Sequence, residues 1–451
     1  MIISMENFAK KYCIITYGCQ MNLHESEKLA GILQTLGYFN TDDETDADIV
    51  VFNTCCIREN AEKKAEGNIG ALKKLKRDKK DMIIAVGGCM TQQKGYAEKL
   101  MKKFPFIDIV FGTHNLENFA ELILERTESK KHIVKVDDKE GKIVEGTPKA
   151  RSSFPNGWVN ITYGCDNFCT YCIVPYVRGR ERSRDPEEII KECENLISLG
   201  YKEITLLGQN VNSYGRDLGN IDFATLLRRV SALKGDFRLC FMTNHPKDLT
   251  EDLVKAIAES DKTARTVHLP VQAGSDRILK LMNRHYTREE YLEKIALLRK
   301  YMPDVSITTD IMVGFPTETE EDFNDTMSLV KEVRFGGAFT FVYSPRSGTP
   351  AAKMAGQVPE DVSKERIIKL IDLQNGINRE QSRAYIGKTI SVLCEGYDDR
   401  KKKYLGRDTY GRMAYFAGKG LIGKFVNVNI KKAGGISLMG ELLSVEEEKD
   451  F

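Results

Sequence analysis

Three cysteines, Cys165, Cys169 and Cys172, stand in a C-x3-C-x2-C run within Tyr163-Gly164-Cys165-Asp166-Asn167-Phe168-Cys169-Thr170-Tyr171-Cys172. Three thiolates can hold three irons of a [4Fe–4S] cluster. The fourth iron is then open to a small molecule, which makes such a site catalytic rather than merely structural. The alternative is zinc, which needs four ligands, often as two C-x2-C pairs. No fourth Cys or His lies close in sequence, although a distant one could fold in.

A second set is less obvious. Cys19, Cys55 and Cys89 are far apart, yet each lies three residues beyond the end of a short buried-strand candidate, at Thr16, Phe52 and Val86. In a parallel sheet the C-terminal strand ends share one edge, where ligands bind, so the three thiols can converge on a second metal site. Three unrelated buried cysteines are the alternative. The flanks Tyr17-Gly18, Asn53-Thr54 and Gly87-Gly88 suit tight loops, and Cys56 competes with Cys55 as a ligand. Cys13, Cys193, Cys240 and Cys394 read as small buried hydrophobes.

The elements that must position these residues are strands alternating with helices. In residues 1–125, Ile14–Thr16, Ile49–Phe52, Met82–Val86 and Ile107–Phe111 are strand candidates. Leu29, Ile32, Leu33 and Leu36 have the spacing of an amphipathic helix, with Gly37 at its C-terminal cap. Residues 126–157 are polar, with Asp137–Lys142, Pro148 and Pro155, and read as a linker. Residues 158–378 offer six strand candidates, Trp158–Tyr163, Glu203–Leu207, Phe237–Met242, Thr266–Pro270, Val305–Val313 and Ala338–Tyr343, with helical stretches such as Arg288–Tyr301 between them. That pattern fits a partial (β/α)6 barrel, whose active sites lie at the C-terminal ends of the strands. The first motif follows directly on the first of these strands. Residues 383–446 carry strand candidates Thr389–Cys394 and Phe425–Ile430 and glycine-marked turns at Gly396, Gly406, Gly411, Gly418, Gly420 and Gly423, as in a small β-barrel. The fold class is thus α/β: an N-terminal parallel-sheet domain, a central barrel and a C-terminal small β-barrel.

Composition sets the bounds. The chain has 451 residues, 41% of them apolar and 29% charged, with a net charge of +2, as in ordinary globular proteins. No apolar run approaches the ~20 residues of a membrane span, and Met1–Asn7 shows no signal-peptide pattern, so a cytoplasmic protein without membrane contact is expected. In a reducing compartment, clustered cysteines are metal ligands or catalytic groups rather than disulfides. Residues 383–446 hold 12 Lys and Arg against 6 Asp and Glu, so the last domain is basic.

The three-cysteine motif on the first loop of a partial barrel resembles the radical SAM superfamily. The combined strings Thr16–Asn22, Asn53-Thr54-Cys55, Ile57–Glu62, Gly164–Arg184, Leu281–Arg284, Val313–Thr319 and Tyr343–Pro350 resemble the methylthiotransferases, most closely the MiaB-type enzymes that act on tRNA. Two small departures are Cys56, where a small residue is more usual, and Asn244 before His245, where Ser is commoner. The Asn-Thr-Cys pattern favours Cys55 as the ligand and leaves Cys56 as spare.

This resemblance implies two [4Fe–4S] clusters, one on Cys165, Cys169 and Cys172 and one on Cys19, Cys55 and Cys89, together with S-adenosylmethionine (SAM). One SAM gives its methyl group to a sulfur associated with the second cluster. Another is cleaved at the first, and the resulting 5′-deoxyadenosyl radical takes hydrogen from C2 of N6-isopentenyladenosine at tRNA position 37, where the methylthio group is installed. Tyr171, Gln209, Gln272, Ser275 and Gly314 resemble SAM-contacting positions. The C-terminal segment resembles a TRAM domain, which binds RNA. Its Lys401, Lys402, Lys403, Arg407, Arg412, Lys424, Lys431 and Lys432 are phosphate-contact candidates, with Tyr404, Tyr410, Tyr415 and Phe416 as stacking candidates. Arg178, Arg180 and Arg184 are candidates to guide the anticodon stem-loop, an ion pair being the alternative for Glu181. An electron donor such as a flavodoxin or ferredoxin and a monomeric state complete the expectation. The competing functions are sister methylthiotransferases, acting on threonylcarbamoyl-adenosine in tRNA or on a ribosomal aspartate, and a metal-containing RNA-binding protein without catalysis. Gln20-Met21-Asn22 and Val174-Pro175-Tyr176 look like the tRNA-acting branch.

Overall fold

The computed structural model describes residues 10–56, 59–139, 141 and 143–447. Met1–Asn7, Ile57, Arg58, Glu140 and Lys142, all part of the sequence reading, lie outside the described residues, as do the side chains of Glu59 and Asn60. The chain forms two compact units. One takes the chain up to Ser152 with Tyr163–Asp166 and Cys172–Arg182. The other takes Ser153–Thr162, Asn167–Tyr171 and the chain from Ser183 on.

The first unit is a parallel sheet with helices on both faces. Its elements are β1 (Lys11–Thr16), α1 (Gln20–Thr35), β2 (Phe39–Asn40), β3 (Ile49–Thr54), α2 (Glu59–Asp78), β4 (Ile83–Gly88), α3 (Tyr96–Lys103), β5 (Ile109–Phe111), α4 (Phe119–Ser129) and β6 (Ile133–Lys135). The strand order is β2-β1-β3-β4-β5-β6. Burial on both faces explains the unbroken apolar strands. Ile49, Val51, Ile83 and Ala85 pack with α1 and α4, while Val50, Phe52, Ile84 and Val86 pack with α2 and α3.

Of the linker expected over 126–157, residues 126–129 belong to α4, 133–135 to β6 and 156–157 to the next strand, while the described residues between 136 and 155 form no helix or strand. The boundary at 125 falls inside α4, and β6 adds a sixth strand. The signal was weak because β6 has three residues and only Ile133 is buried. Farther on, Ala150 N–H donates to Glu27 O at 2.8 Å and Arg151 pairs with the buried Glu27 at 2.8 Å.

Along the chain follow β7 (Asn156–Asn160), β8 (Thr162–Tyr163), α5 (Val174–Arg178), β9 (Arg182–Ser183), α6 (Pro186–Ser198), β10 (Glu203–Leu207), α7 (Phe223–Ser231), β11 (Arg238–Phe241), α8 (Glu251–Glu259), β12 (Thr266–His268), α9 (Asp276–Leu281), α10 (Arg288–Tyr301), β13 (Ser306–Val313), α11 (Glu320–Val333), β14 (Gly337–Val342) and α12 (Glu360–Arg383). The second unit has all six expected barrel strands, parallel, in two runs, β11-β10-β7 and β12-β13-β14. One core gathers Val159, Ile204, Leu206, Leu239, Ile307 and Ile311 with apolar faces of the surrounding helices.

The chain ends in β15 (Thr389–Asp398), β16 (Lys403–Arg407), β17 (Met413–Phe416), β18 (Phe425–Ala433) and β19 (Ser437–Val445). These close into a barrel in the order β15-β16-β17-β19-β18. Gly396 and Gly406, expected in turns, lie inside strands. A bulge separates Cys394 from Gly396, and a Cβ on Gly406 would stand 1.9 Å from Leu393 O, so β16 needs glycine to approach β15. The second unit also holds this barrel against its β11 and β12 ends, through Arg238 Nη1 to Arg407 O at 2.8 Å and Arg265 N–H to Thr409 O at 2.8 Å. Among the described residues no helix is long and apolar enough to cross a membrane.

Candidate functional site

The strand register places the dispersed cysteines. Thr54 pairs with Gly88, so Cys55 and Cys89 are the first residues beyond two aligned strand ends. Both strands run two residues farther than the apolar runs suggested. Thr16 pairs with Asn53, which brings Gly18 level with Cys55. Gly18 has φ +123°, and a Cβ on it would lie 2.7 Å from Cys55 Cβ and 3.2 Å from its Sγ. The Cys55 side chain therefore occupies the space that only glycine leaves. Cys19 follows as the N-cap residue of α1.

Asn22, fully buried, ties the loops together. Its Nδ2 donates to Tyr17 O and to Thr54 O, each at 3.0 Å, and Asn53 Nδ2 returns a bond to Asn22 O at 2.8 Å. Cys19 Sγ lies 3.7 Å from Asn22 Oδ1. Cys56, read as spare, is hydrogen-bonded to Cys89, and both pack against Ile173 and Val177.

Arg178 lies beside this set. It is buried, with Nη1 2.5 Å from Glu25 Oε1, Nη2 3.1 Å from Glu25 Oε2 and 3.2 Å from Asn22 Oδ1. The Cys56 hydrogen bond and then the Arg178 charge pull the Cys89 thiol down to about 7 against the effect of burial. Burial pushes the Cys19 thiol up, with Arg178 opposing. Among the described residues no three His, Cys, Asp or Glu side chains close around a single-ion position. A four-iron cluster does not need that, since each thiolate takes its own iron.

In the other motif, Cys165 and Cys172 belong to the first unit and Cys169 to the second. Gly164 has φ +79°, and a Cβ there would lie 2.0 Å from Arg180 O. Cys165 N–H donates to Gly179 O at 3.2 Å. Asp166 Oδ1 accepts from Glu181 N–H at 3.1 Å and pairs with Arg180 at 3.1 Å.

In the second unit the Leu281–Arg284 string holds the middle of the loop. Thr170 N–H bonds to Met282 O at 3.1 Å, and Asn283 Nδ2 donates to Phe168 O at 3.1 Å. The buried Arg284 donates from Nη1 to Cys169 Sγ at 3.4 Å and to Tyr171 Oη at 3.4 Å, and from Nη2 to Pro270 O at 2.7 Å. Tyr171 is thus seated beside Cys169. Gln209 is half-buried just past β10, and Gln272 is buried at φ +73°. Gly314, also at φ +73°, gives its N–H to Glu318 Oε1 at 3.0 Å. Ser275 is buried and its hydroxyl donates to Asp322 Oδ1 at 2.6 Å, which braces the start of α9.

The RNA-contact candidates divide by burial. Arg178 is committed to Glu25. Arg184 is buried on Glu192 Oε2 and Asn160 O, at 2.8 and 2.7 Å. Arg412 is buried on Gln381 Oε1 at 2.5 Å, and Phe416 lies in the barrel core. None of these four presents a free surface for phosphate or base, a correction to the sequence reading. Arg180, Lys401, Lys402, Arg407, Lys424, Lys431 and Lys432 are exposed or nearly so, and Lys403 is half-buried. Lys401 Nζ sits 3.5 Å over the Tyr415 ring. Arg407 pairs with Glu395 at 2.6 Å, Tyr404 stacks on Phe416, and Tyr410 bonds to Asp304. The sequence reading missed Glu25, and it held Arg284 only as the end of the Leu281–Arg284 string, without a role. A signal for Glu25 existed, because Cys19, Asn22 and Glu25 are spaced by three on one helix face.

Three family descriptions match parts of the chain: the radical SAM superfamily over residues 159–330, the uncharacterized protein family UPF0004 over 11–112 and the TRAM domain over 383–443. Among solved structures, the radical S-adenosylmethionine methyltransferase TsrM from Kitasatospora setae, with tryptophan and a SAM analog bound, has a TM-score of 0.55 at 14% identity, covering 76% of this chain and 75% of that one. The cobalamin-dependent radical enzyme OxsB, with aqua-cobalamin and S-adenosylmethionine bound, has a TM-score of 0.52 at 12% identity, covering 81% and 56%. At such identities the likeness is one of fold.

Proteins named tRNA-2-methylthio-N(6)-dimethylallyladenosine synthase are far more similar. The one from Clostridium botulinum (strain Langeland) is 54% identical over 438 residues, covering 96% of this chain and 97% of that protein. The one from Clostridium tetani is 53% identical over 443 residues, covering 98% of each. Identity of this level across nearly the full length of both chains, with matches in all three regions, means that the chain belongs to the tRNA-2-methylthio-N(6)-dimethylallyladenosine synthase family.

Proposed function

We propose that this chain is a radical SAM methylthiotransferase that converts N6-isopentenyladenosine at tRNA position 37 to its 2-methylthio derivative, consuming two SAM per turnover. The observation that carries the reading is the 52–54% identity, over 96–98% of the chain, to proteins named for that product. The donor sets suit iron–sulfur clusters: buried or half-buried thiols, on one loop in the first set and on three in the second, with glycines that permit close approach and a buried arginine beside each set.

Bound on these two sets, [4Fe–4S] clusters would supply the electron that cleaves SAM and the sulfur that is transferred. The chain's own contribution is placement. Cys165, Cys169 and Cys172 would hold one cluster, with Arg284 fixing Cys169 and Tyr171. Cys19, Cys55 and Cys89 would hold the other, with Asn22 fixing the loops that carry them. A radical route is needed because an aromatic C–H has no acidity that a general base could use. The base must also leave its stack to reach a barrel mouth, which costs a few kcal/mol and less for an unpaired loop nucleotide. The basic C-terminal barrel supports a tRNA partner, whose phosphates its exposed lysines would contact.

The test uses tRNA with and without the isopentenyl group, incubated anaerobically with the reconstituted enzyme, SAM, reductant and sulfide, then digested to nucleosides for mass analysis. A gain of one methylthio group for hydrogen on isopentenyladenosine is expected. Modification of threonylcarbamoyl-adenosine instead, or no modified nucleoside at all, contradicts the reading.

A further inference from the structure

Arg178 was a candidate RNA contact, yet it is buried and points away from that task. It ends α5, a five-residue helix that begins two residues after Cys172. Thr113 Oγ1 fixes this helix by donating to Val177 O at 2.6 Å, and Ile173 and Val177 pack on Cys56 and Cys89. We propose that Arg178 is a positioning residue for the metal cluster on Cys19, Cys55 and Cys89: clamped by Glu25 and Asn22, it offers its remaining N–H donors to the Cys89 sulfur and raises the reduction potential of that cluster.

This rests on the reading that those three cysteines carry a cluster. A guanidinium has five N–H donors in a rigid fork and no acceptor. Glu25 takes one from each Nη in a two-pronged pair, the strongest arrangement for holding such a group, and Asn22 takes another from Nη2. Cys89 takes a further side-chain hydrogen bond from Arg178 and feels its charge, and the neighbouring Val177 packs on the same cysteine. Hydrogen bonds to the sulfurs and nearby charge are among the levers that set the potential of an iron–sulfur cluster. Lysine cannot reproduce this geometry, because its ammonium is a point charge without the planar fork. The second set would then be tuned by a residue on the segment that follows Cys172.

The experiment compares the wild-type protein with Arg178→Lys and with the double variant Glu25→Gln/Arg178→Met, which removes both buried charges together. Each is reconstituted anaerobically and read by iron content and by EPR-monitored redox titration of both clusters. In both variants the iron content stays at the wild-type level. The potential of the second cluster moves to more negative values, further in the double variant than in Arg178→Lys, while that of the first cluster is unchanged. An unchanged second potential at full iron content overturns the proposal. Loss of the second cluster's iron in both variants also overturns it, by making Arg178 a structural prop. A wild-type protein with about four irons instead of about eight would instead refute the second cluster itself.

Discussion

Arg178 and Glu25 form a buried two-pronged ion pair, 2.5 Å from Nη1 to Oε1 and 3.1 Å from Nη2 to Oε2, between residues 153 positions apart. One comes from the segment after Cys172 and the other from α1, the helix capped by Cys19. Removing one partner leaves an uncompensated buried charge, which costs about 3–5 kcal/mol. Glu25→Gln should therefore lower the urea midpoint markedly, and Glu25→Gln/Arg178→Met should recover most of that loss.

Gly18→Ala tests the packing of the cysteine loops. The added Cβ would meet Cys55 Cβ at 2.7 Å at a φ of +123°, a conformation that costs a non-glycine residue roughly 1–3 kcal/mol. Displacement of Cys55 should reduce iron bound at the second set, with that at the first unchanged, as counted by iron and sulfide analysis.

Ser275 is predicted to act on stability rather than on SAM. Burial raises the Asp322 carboxyl, but Arg277, Ser275 and Thr319 outweigh it and hold the group well below the usual carboxylate range. A carboxylate with a depressed folded-state pKa contributes stability that is present above the unfolded value, near 3.9, and is lost as pH falls through the folded one. Ser275→Ala should thus cost about 1–3 kcal/mol at neutral pH, narrow its gap to wild type under acid, and leave the KM for SAM unchanged.

For RNA, exposure should decide the outcome. Lys401→Ala and Lys402→Ala should each weaken tRNA binding and lower the slope of log affinity against log salt by about 0.7–0.9. Arg412→Ala should leave that slope unchanged and lower the melting temperature of the chain instead, because its guanidinium is spent on Gln381 and Ser382.

The strand-and-helix alternation was legible because buried parallel strands such as Ile49–Phe52 are unbroken apolar runs. Ile133–Lys135 was not, since an edge strand of three residues with one buried side chain carries no period. Among the arginines of Arg178–Arg184, sequence treats all alike. The structure buries Arg178 and Arg184 against carboxylates and leaves Arg180 exposed, and partners as distant as Glu25 leave no local trace. The dispersed cysteines could be read because a parallel sheet puts its strand ends on one edge. Which of Cys55 and Cys56 faces which neighbour depended on two further residues of strand.

The division of labour between the two cysteine sets is tested most directly by Cys89→Ala. The variant and the wild type are incubated with isopentenylated tRNA, SAM and reductant, and both 5′-deoxyadenosine and the tRNA nucleosides are quantified by mass. The account predicts SAM cleavage in both proteins and methylthiolated nucleoside from the wild type alone. Normal methylthiolation by Cys89→Ala would contradict it.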